Sequence, residues 1–381
     1  MHDLTLRLPP LIHFGEGALS HLGRAARPFG TKVMLLAEGG LKHGGHIKRT
    51  TALLTDHGLQ VTTIDDIHPH TPATRVDELA AEMRQREIEV LIGLGGMRVL
   101  SLARCVANVS SEGATLQALM GGHVPDKPVP YIEVPSSFRN HLMMRSEAIL
   151  RDNSSGGLRV ITLANSTMKG IVVDPVFSQA LSDQYALGAT FDTLLAAIEG
   201  FFSTRRSQYS DTLLLQAIGL LHRSAVDGVK DPGNMEARMN AAEAGMLVAM
   251  ALAVTGQGIG GALAYGINSR LSVPKSWISA ILLPHLIEVL VNRDPARAVQ
   301  VAAALGEIDR PVTPKVGARS VSQAIRSLVA QVDLPSRLRD FDVDLQDLEL
   351  CARDVISLPL LCCVPGGVSL EDLEQLVATA F

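Results

Sequence analysis

The sequence predicts an α/β N-terminal domain, doubly wound about a parallel sheet, followed by an all-α C-terminal domain. Three observations predict it. Through residue 175, short β-branched runs alternate with amphipathic stretches. After "GIVVDP" (170–175) strand-like runs nearly vanish, and from Leu181 onward apolar residues recur at helical spacing. Alternation marks a sheet with crossover helices, and sustained helical periodicity marks a bundle. At 381 residues the chain is long for one compact unit, so two domains are expected, 1–180 and 181–381. The boundary falls within 176–188, where turn residues mix with a short helix.

In chain order, "KVMLLA" (32–37), "LQVTTI" (59–64), "EVLIGLG" (89–95) and "PYIEVP" (130–135) read as buried parallel strands. "TRVDELAAEMRQRE" reads as a crossover helix between two of them. Ligands are expected at the carboxyl ends of such strands. In the second half, "TLLAAIEGFFSTRR", "DTLLLQAIGLLHRSAVDGV" and "MEARMNAAEAGMLVAMALAV" read as helices. Residues 256–286 read as a Gly-rich helix, a turn through Pro274 and an apolar helix ending at Pro284.

Composition narrows the function classes. The chain is 47% hydrophobic and 19% charged, with a formal net charge of -5, so it has no electrostatic footprint for nucleic acid or an anionic membrane. A small-molecule substrate or a protein partner is expected instead. Cys105, Cys351, Cys362 and Cys363 lack metal-ligand or disulfide-framework spacing, and the start shows no signal-peptide pattern, which together point to the cytoplasm. Ala244 to Ser269 carries no charge but is broken by Gln257 and four glycines, which suits two core helices better than a membrane span. His68 and His70 read as a loop pair without a third ligand.

"GLGGMRVLSLAR" (93–104) follows a strand and opens a helix, so the backbone amides of Gly93, Gly95 and Gly96 are placed to approach a pyrophosphate without interference from a Cβ. Around it stand, in order, "IHFGEGAL", "VMLLAEGGL", "VPSSF", "VVDP", "FDTLLAAIEGFFS", "VPKSWISAILLPH" and "VSLEDLEQLVATAF". That order resembles the iron-containing, or group III, alcohol dehydrogenase family, which includes glycerol dehydrogenases and maleylacetate reductases. The resemblance covers nearly the whole chain. It implies the dehydroquinate synthase-like fold of these dehydrogenases, an N-terminal dinucleotide-binding domain and a helical domain with the active site between them. It also implies NAD(P)-dependent redox chemistry on a small carbonyl or alcohol, and a homodimer.

The family's motifs are altered here. Its GGGSxxDxAK loop matches Gly95, Gly96, Met97 and Arg98, with Ser101 for Asp and Ala103-Arg104 for Ala-Lys. Its PTTxGTGSE loop matches Pro135, Ser136 and Ser137, but Arg139 and His141 replace glycines. The resemblance places a divalent metal on one Asp and three His. Asp192 matches the Asp, whereas Ala196, Gly261 and Lys275 stand at the three His positions, and Tyr265 replaces a second His of the HAxAH stretch. Such a metal needs three or four ligands, so no metal is expected.

Two readings stand for most candidate residues. Lys275 either supplies positive charge in place of the dication, paired with Asp192 across the domain cleft, or is a solvated Lys with Asp192 as a helix cap. Tyr265 is either a proton donor beside Lys275 or a core Tyr with a backbone partner. Glu38 matches the family's ribose-reading acid, which would favour NAD over NADP, or is an exposed acid at a strand end. Arg98 is either a phosphate partner or a surface charge, and Arg104 reads as surface. The functional choice is an oxidoreductase without the family's metal, with Lys275, Tyr265 and Asp192 as catalytic residues, or an inactive relative with a binding or regulatory role.

Overall fold

The structure is a computed structural model and describes residues 5–111, 114–152, 156–179, 181–332 and 335–381. Two compact units emerge: Leu8–Ala180, and Leu181–Phe381 together with the start of the chain up to Arg7.

The first unit contains strands β1 (Ile12–Phe14), β2 (Lys32–Glu38), β3 (Gln60–Ile67), β4 (Val90–Gly95), β5 (Tyr131–Pro135), β6 (Glu147–Arg151), β7 (Leu158–Thr162) and β8 (Met168–Val173). Its helices are α1 (Leu22–Ala26), α2 (His46–Asp56), α3 (Arg75–Gln85), α4 (Met97–Val109), α5 (Leu116–Met120) and α6 (Val176–Gln179). Six strands form one parallel sheet in the order β1-β8-β5-β4-β2-β3. Along β2 the side chains alternate between two cores. Met34 and Leu36 join residues of α3 and α4, while Val33, Leu35 and Ala37 join residues of α1 and α2. This period-2 division explains why the strand reads as a continuous apolar run, since both its faces are covered. The chain leaves β2 through α2 to β3 on one side and returns through α3 to β4 on the other. The topological switch point therefore lies between the carboxyl ends of β2 and β4, where open α/β sheets bind ligands.

Sequence periodicity missed two features. β1 is a three-residue edge strand paired with β8, and β6 and β7 form a separate antiparallel pair. Both are short and only partly buried, so their apolar signal is weak.

The second unit contains helices α7 (Asp183–Phe202), α8 (Gln208–Lys230), α9 (Met235–Thr255), α10 (Ile259–Leu271), α11 (Lys275–Arg293), α12 (Pro295–Ala304), α13 (Pro314–Val329), α14 (Leu345–Val355) and α15 (Leu370–Ala380). α7 packs against α8, α9, α10 and α11, which is why almost every side chain from Ala186 onward along it is buried. Ser182 caps it by accepting the Tyr185 amide at 3.3 Å. α9 is long and apolar enough to cross a membrane, yet 67% of its apolar window is buried within the protein. The helix expected to stop at Pro284 runs on to Arg293. A mid-helix proline costs about 3 kcal/mol, but Leu286, Ile287, Leu290 and Val291 beyond it are at most 3% exposed. Burial of four aliphatic side chains outweighs that cost.

Candidate functional site

In the helical unit, α7 is apolar except for a few groups that must find partners. Asp192 and Glu199 lie seven residues apart, two turns along one helix face, with Ala196 between them. Asp192 is 1% exposed and Lys275, the first residue of α11, is 5% exposed. Lys275 Nζ donates to Asp192 Oδ1 at 2.5 Å, and Ser279 Oγ donates to the same oxygen at 2.6 Å. Ser279 follows Lys275 by four residues, so one turn of α11 presents both donors to α7. A cation at a helix N-terminus opposes the helix dipole; the paired carboxylate offsets that cost and the cost of burying the ammonium. The reading of Lys275 as solvated is therefore incorrect, because α11 packs its first turn against α7. Both partners belong to the helical unit, which corrects the expectation of a pair spanning two domains.

Tyr265 is 2% exposed, and the Lys275 ammonium lies 4.4 Å from the centroid of its ring. That is a cation–π contact, so the cation faces the ring of Tyr265. The Tyr265 hydroxyl accepts from Gln257 Nε2 at 3.2 Å, and Gln257 Oε1 is buried without a hydrogen-bond partner. Gln257 belongs to the connection that joins α9 to α10. The same connection brings the amides of Gly258, Gly260 and Gly261 onto the Glu199 carboxylate at 3.3, 2.6 and 3.0 Å. Burial pushes the Glu199 carboxyl up to about 7, against the downward pull of those three amides and of Lys275.

Sequence reasoning missed Glu199, Ser279 and Gln257. A signal was present for Glu199, since a lone acid in "LLAAIEGFF" must be either exposed or partnered. Its partners are backbone amides of α10, which no side-chain pattern reveals.

The metal positions can be tested by their donors. Asp192 offers a carboxylate already bonded by Lys275 and Ser279. Ala196 and Gly261 offer no ligating atom, and a protonated Lys275 has no lone pair. A side chain at Gly261 would begin with its Cβ 2.7 Å from Gln257 Oε1 and 3.3 Å from Glu199 Oε2. Among the described residues no group of three His, Cys, Asp or Glu is arranged to hold a metal ion. This donor set does not fit a divalent cation bound by four protein ligands.

In the α/β unit, Gly95 ends β4 and Gly96 precedes α4. The Gly96 amide donates to Glu38 Oε2 at 2.6 Å, so the Glu38 side chain lies on the loop expected to hold phosphate. Gly93 lies inside β4, paired with Leu36 and Glu133. A Cβ there would meet the Tyr131 hydroxyl at 2.4 Å, so packing accounts for this glycine. Ser136 and Ser137 are 7% and 8% exposed, and the Ser136 amide bonds the Gly95 carbonyl at 2.9 Å. Arg98 is partly exposed in the first turn of α4 and donates to the Pro69 carbonyl at 3.4 Å.

Arg104 is not a surface residue; it is 2% exposed. It donates to both oxygens of buried Glu133, at 2.7 and 2.9 Å, and to the carbonyls of Leu142, Met143, Arg145 and Glu147. Its guanidinium thus fixes the segment after β5, where Asn140 also donates to Glu133 at 2.6 Å. The helical spacing of α4 places residue 104 against the sheet, a face that charge alone argued against.

Two family models match, described as "Iron-containing alcohol dehydrogenase" over residues 9–175 and "Fe-containing alcohol dehydrogenase family, C-terminal" over residues 187–381. The chain is 22% identical to the 1,3-propanediol dehydrogenase of Citrobacter freundii, an alignment covering 91% of this chain and 90% of that protein. A solved structure of a 1,3-propanediol oxidoreductase matches with a TM-score of 0.92 and 21% identity, covering both chains completely. The sulfoacetaldehyde reductase of Bifidobacterium kashiwanohense, solved in complex with NAD+, matches with a TM-score of 0.86 and 18% identity, covering 100% of this chain and 99% of that one.

Proposed function

We propose, for a chain that belongs to the iron-containing alcohol dehydrogenase family, that it is an NAD-dependent oxidoreductase of a small carbonyl or alcohol in which the Lys275 ammonium takes the part of the metal. The observation that carries this is the buried pair itself, Lys275 Nζ 2.5 Å from Asp192 Oδ1, at positions that correspond to two metal ligands. Support for NAD comes from the relative solved with NAD+ and from the glycine turn that opens α4.

NAD would supply or accept the hydride. Lys275 has three N–H donors; one is directed to Asp192, and we assign the ammonium as the group that faces the substrate oxygen. Its charge stabilises negative charge developing on that oxygen, and the dry surroundings strengthen the effect. Asp192, itself held by the Ser279 hydroxyl, fixes the ammonium, which lies over the Tyr265 ring. Because the Tyr265 hydroxyl accepts from Gln257, its hydrogen is directed elsewhere, and we assign it as the proton donor to the alcohol oxygen. We also assign a cytoplasmic homodimer acting on a small molecule, on the strength of the family and of the reduced-thiol pattern.

Turnover of NADH with a panel of short aldehydes, in the presence of a strong chelator, tests the proposal. Chelator-resistant turnover that disappears in the Lys275→Ala, Asp192→Ala double variant is the expected result. One iron or zinc per chain, retained against the chelator and required for turnover, would overturn it. The Glu38–Gly96 contact favours a second reading, an inactive relative with a binding or regulatory role, and no turnover together with no NADH binding would select it.

A further inference from the structure

Glu38 and Gly95 are the last residues of β2 and β4, the two strands that flank the switch point of the sheet. The register of β2 against β3 shifts between Leu36 and Glu38, with the extra residue in β3, so the alternation of β2 carries through to Glu38. Glu38 falls on the face of β2 shared with Met34 and Leu36, the α4 side. From there its carboxylate reaches the Gly96 amide at 2.6 Å, at the N-terminus of a 13-residue helix. The glycines are fitted to this carboxylate. A Cβ at Gly95 would lie 2.9 Å from Glu38 Cβ and 3.0 Å from its Oε2, and one at Gly96 would lie 3.3 Å from Oε2. Gly95 also has φ 158, in the region that side chains avoid.

Backbone amides at a helix N-terminus attract an anion, and here that anion is part of the chain. We infer that Glu38 is an internal competitor for the diphosphate of a dinucleotide, so that a dinucleotide binds only when Glu38 leaves the Gly96 amide. This rests on the dinucleotide reading of the α/β unit, and it gives Glu38 a role opposite to the ribose contact suggested by its position in the sequence. A carboxylate and a diphosphate cannot share one amide, and their like charges repel at that distance.

The test is a titration of the wild-type protein and of Glu38→Ala and Glu38→Gln with NADH and, separately, with ADP, which carries the diphosphate without the nicotinamide. Thermal melting confirms that each variant is folded. Glu38→Ala is expected to bind both ligands at least about tenfold tighter, equivalent to about 1.4 kcal/mol. Glu38→Gln, which keeps the shape and loses the charge, is expected to fall between. The Gly96 amide resonance should shift in Glu38→Ala and, in the wild type, on addition of ADP. Equal or weaker binding by Glu38→Ala would overturn the inference while leaving the NAD-dependent reading intact. Tighter ADP binding without NADH binding would uphold the competitor and overturn the hydride-transfer reading. No binding of either ligand by any of the three proteins would overturn both.

Discussion

Each of the two units places one of its own charged side chains where the family resemblance places an external ion. In the helical unit the Lys275 ammonium is paired with Asp192 at a position the resemblance gives to a metal ligand, and in the α/β unit the Glu38 carboxylate lies on the loop the resemblance gives to phosphate. The surroundings differ sharply. Lys275 and Asp192 are both at least 95% buried, with Ser279 and the Tyr265 ring closing around them. Glu38 is half-buried and at the end of a strand, facing one backbone amide. A buried charge that loses its partner is stranded in a medium that cannot solvate it, whereas a half-exposed carboxylate exchanges its contact for water. The first replacement is therefore built into the fold, and the second can be reversed by a ligand.

The largest expected effect comes from breaking the buried pair on one side. Lys275→Ala should destabilise the protein by about 3 kcal/mol or more, measured by urea unfolding, because Asp192 is left buried without its cation. The double variant Lys275→Ala, Asp192→Ala should cost much less than the sum of the two single changes. Additive costs would mean that the two residues act independently, and the contrast with Glu38 would disappear.

Glu199 gives the next largest effect, and its sign can be stated. Its folded-state value of about 7 lies above that of an unfolded Glu, so the folded state holds the proton more tightly. The stability this provides is fully present below about pH 4 and is lost as pH rises through about 7, by about 3 kcal/mol. Comparing unfolding free energies of the wild type and Glu199→Gln across that range isolates the slope. A wild type whose pH profile runs parallel to that of the variant would show that the three amides keep the carboxylate ionised throughout.

Restoring a ligand should fail. Gly261→His is expected to cost about 1–3 kcal/mol from overpacking against Gln257 and Glu199, and to bring no zinc with it in an elemental analysis. A stable Gly261→His protein that binds zinc would mean that the site rearranges more easily than its burial suggests.

Smaller effects separate stability from chemistry. Tyr265→Phe keeps the ring under Lys275 and removes the acceptor of Gln257 Nε2, at about 1–2 kcal/mol. Loss of turnover in this variant while it remains folded would support Tyr265 as the proton donor. Glu38→Ala should cost at most about 1 kcal/mol of stability, as for a single partly exposed hydrogen bond. A cost matching that of Lys275→Ala would place Glu38 among the structural residues.

Much of the α/β unit was legible because its central strands are buried on both faces and read as apolar runs. β2 and β4 match their sequence runs to within a residue or so. The short edge strand β1 and the β6–β7 pair were not, since neither buries a long run. Arg104 was misread because a charge suggests a surface. Its partner Glu133 lies 29 residues away, and the four carbonyls it bonds belong to the loop after β5 and the first residue of β6, which carry no side-chain signature. In the helical unit, α9 and α10 separate at the glycine cluster as their composition suggests, but α11 runs through Pro284. Local propensity weighs one residue at a time, whereas the burial that overrides it is a property of the packed helix.

By itself the sequence determined the family and the order of sheet and helices, and it supplied the expectation that Ala196, Gly261 and Lys275 stand where the resemblance places metal ligands. Each of these is carried by residue identity and spacing along the chain. Only the tertiary structure decided what the substituted residues do. It paired Lys275 with Asp192 across 83 positions, set Glu199 on the amides of α10, and laid Glu38 on the Gly96 amide 58 residues away. These contacts involve backbone amides, or single charges far apart in the chain, and their energies depend on burial. Burial exists only once the strands and helices have packed.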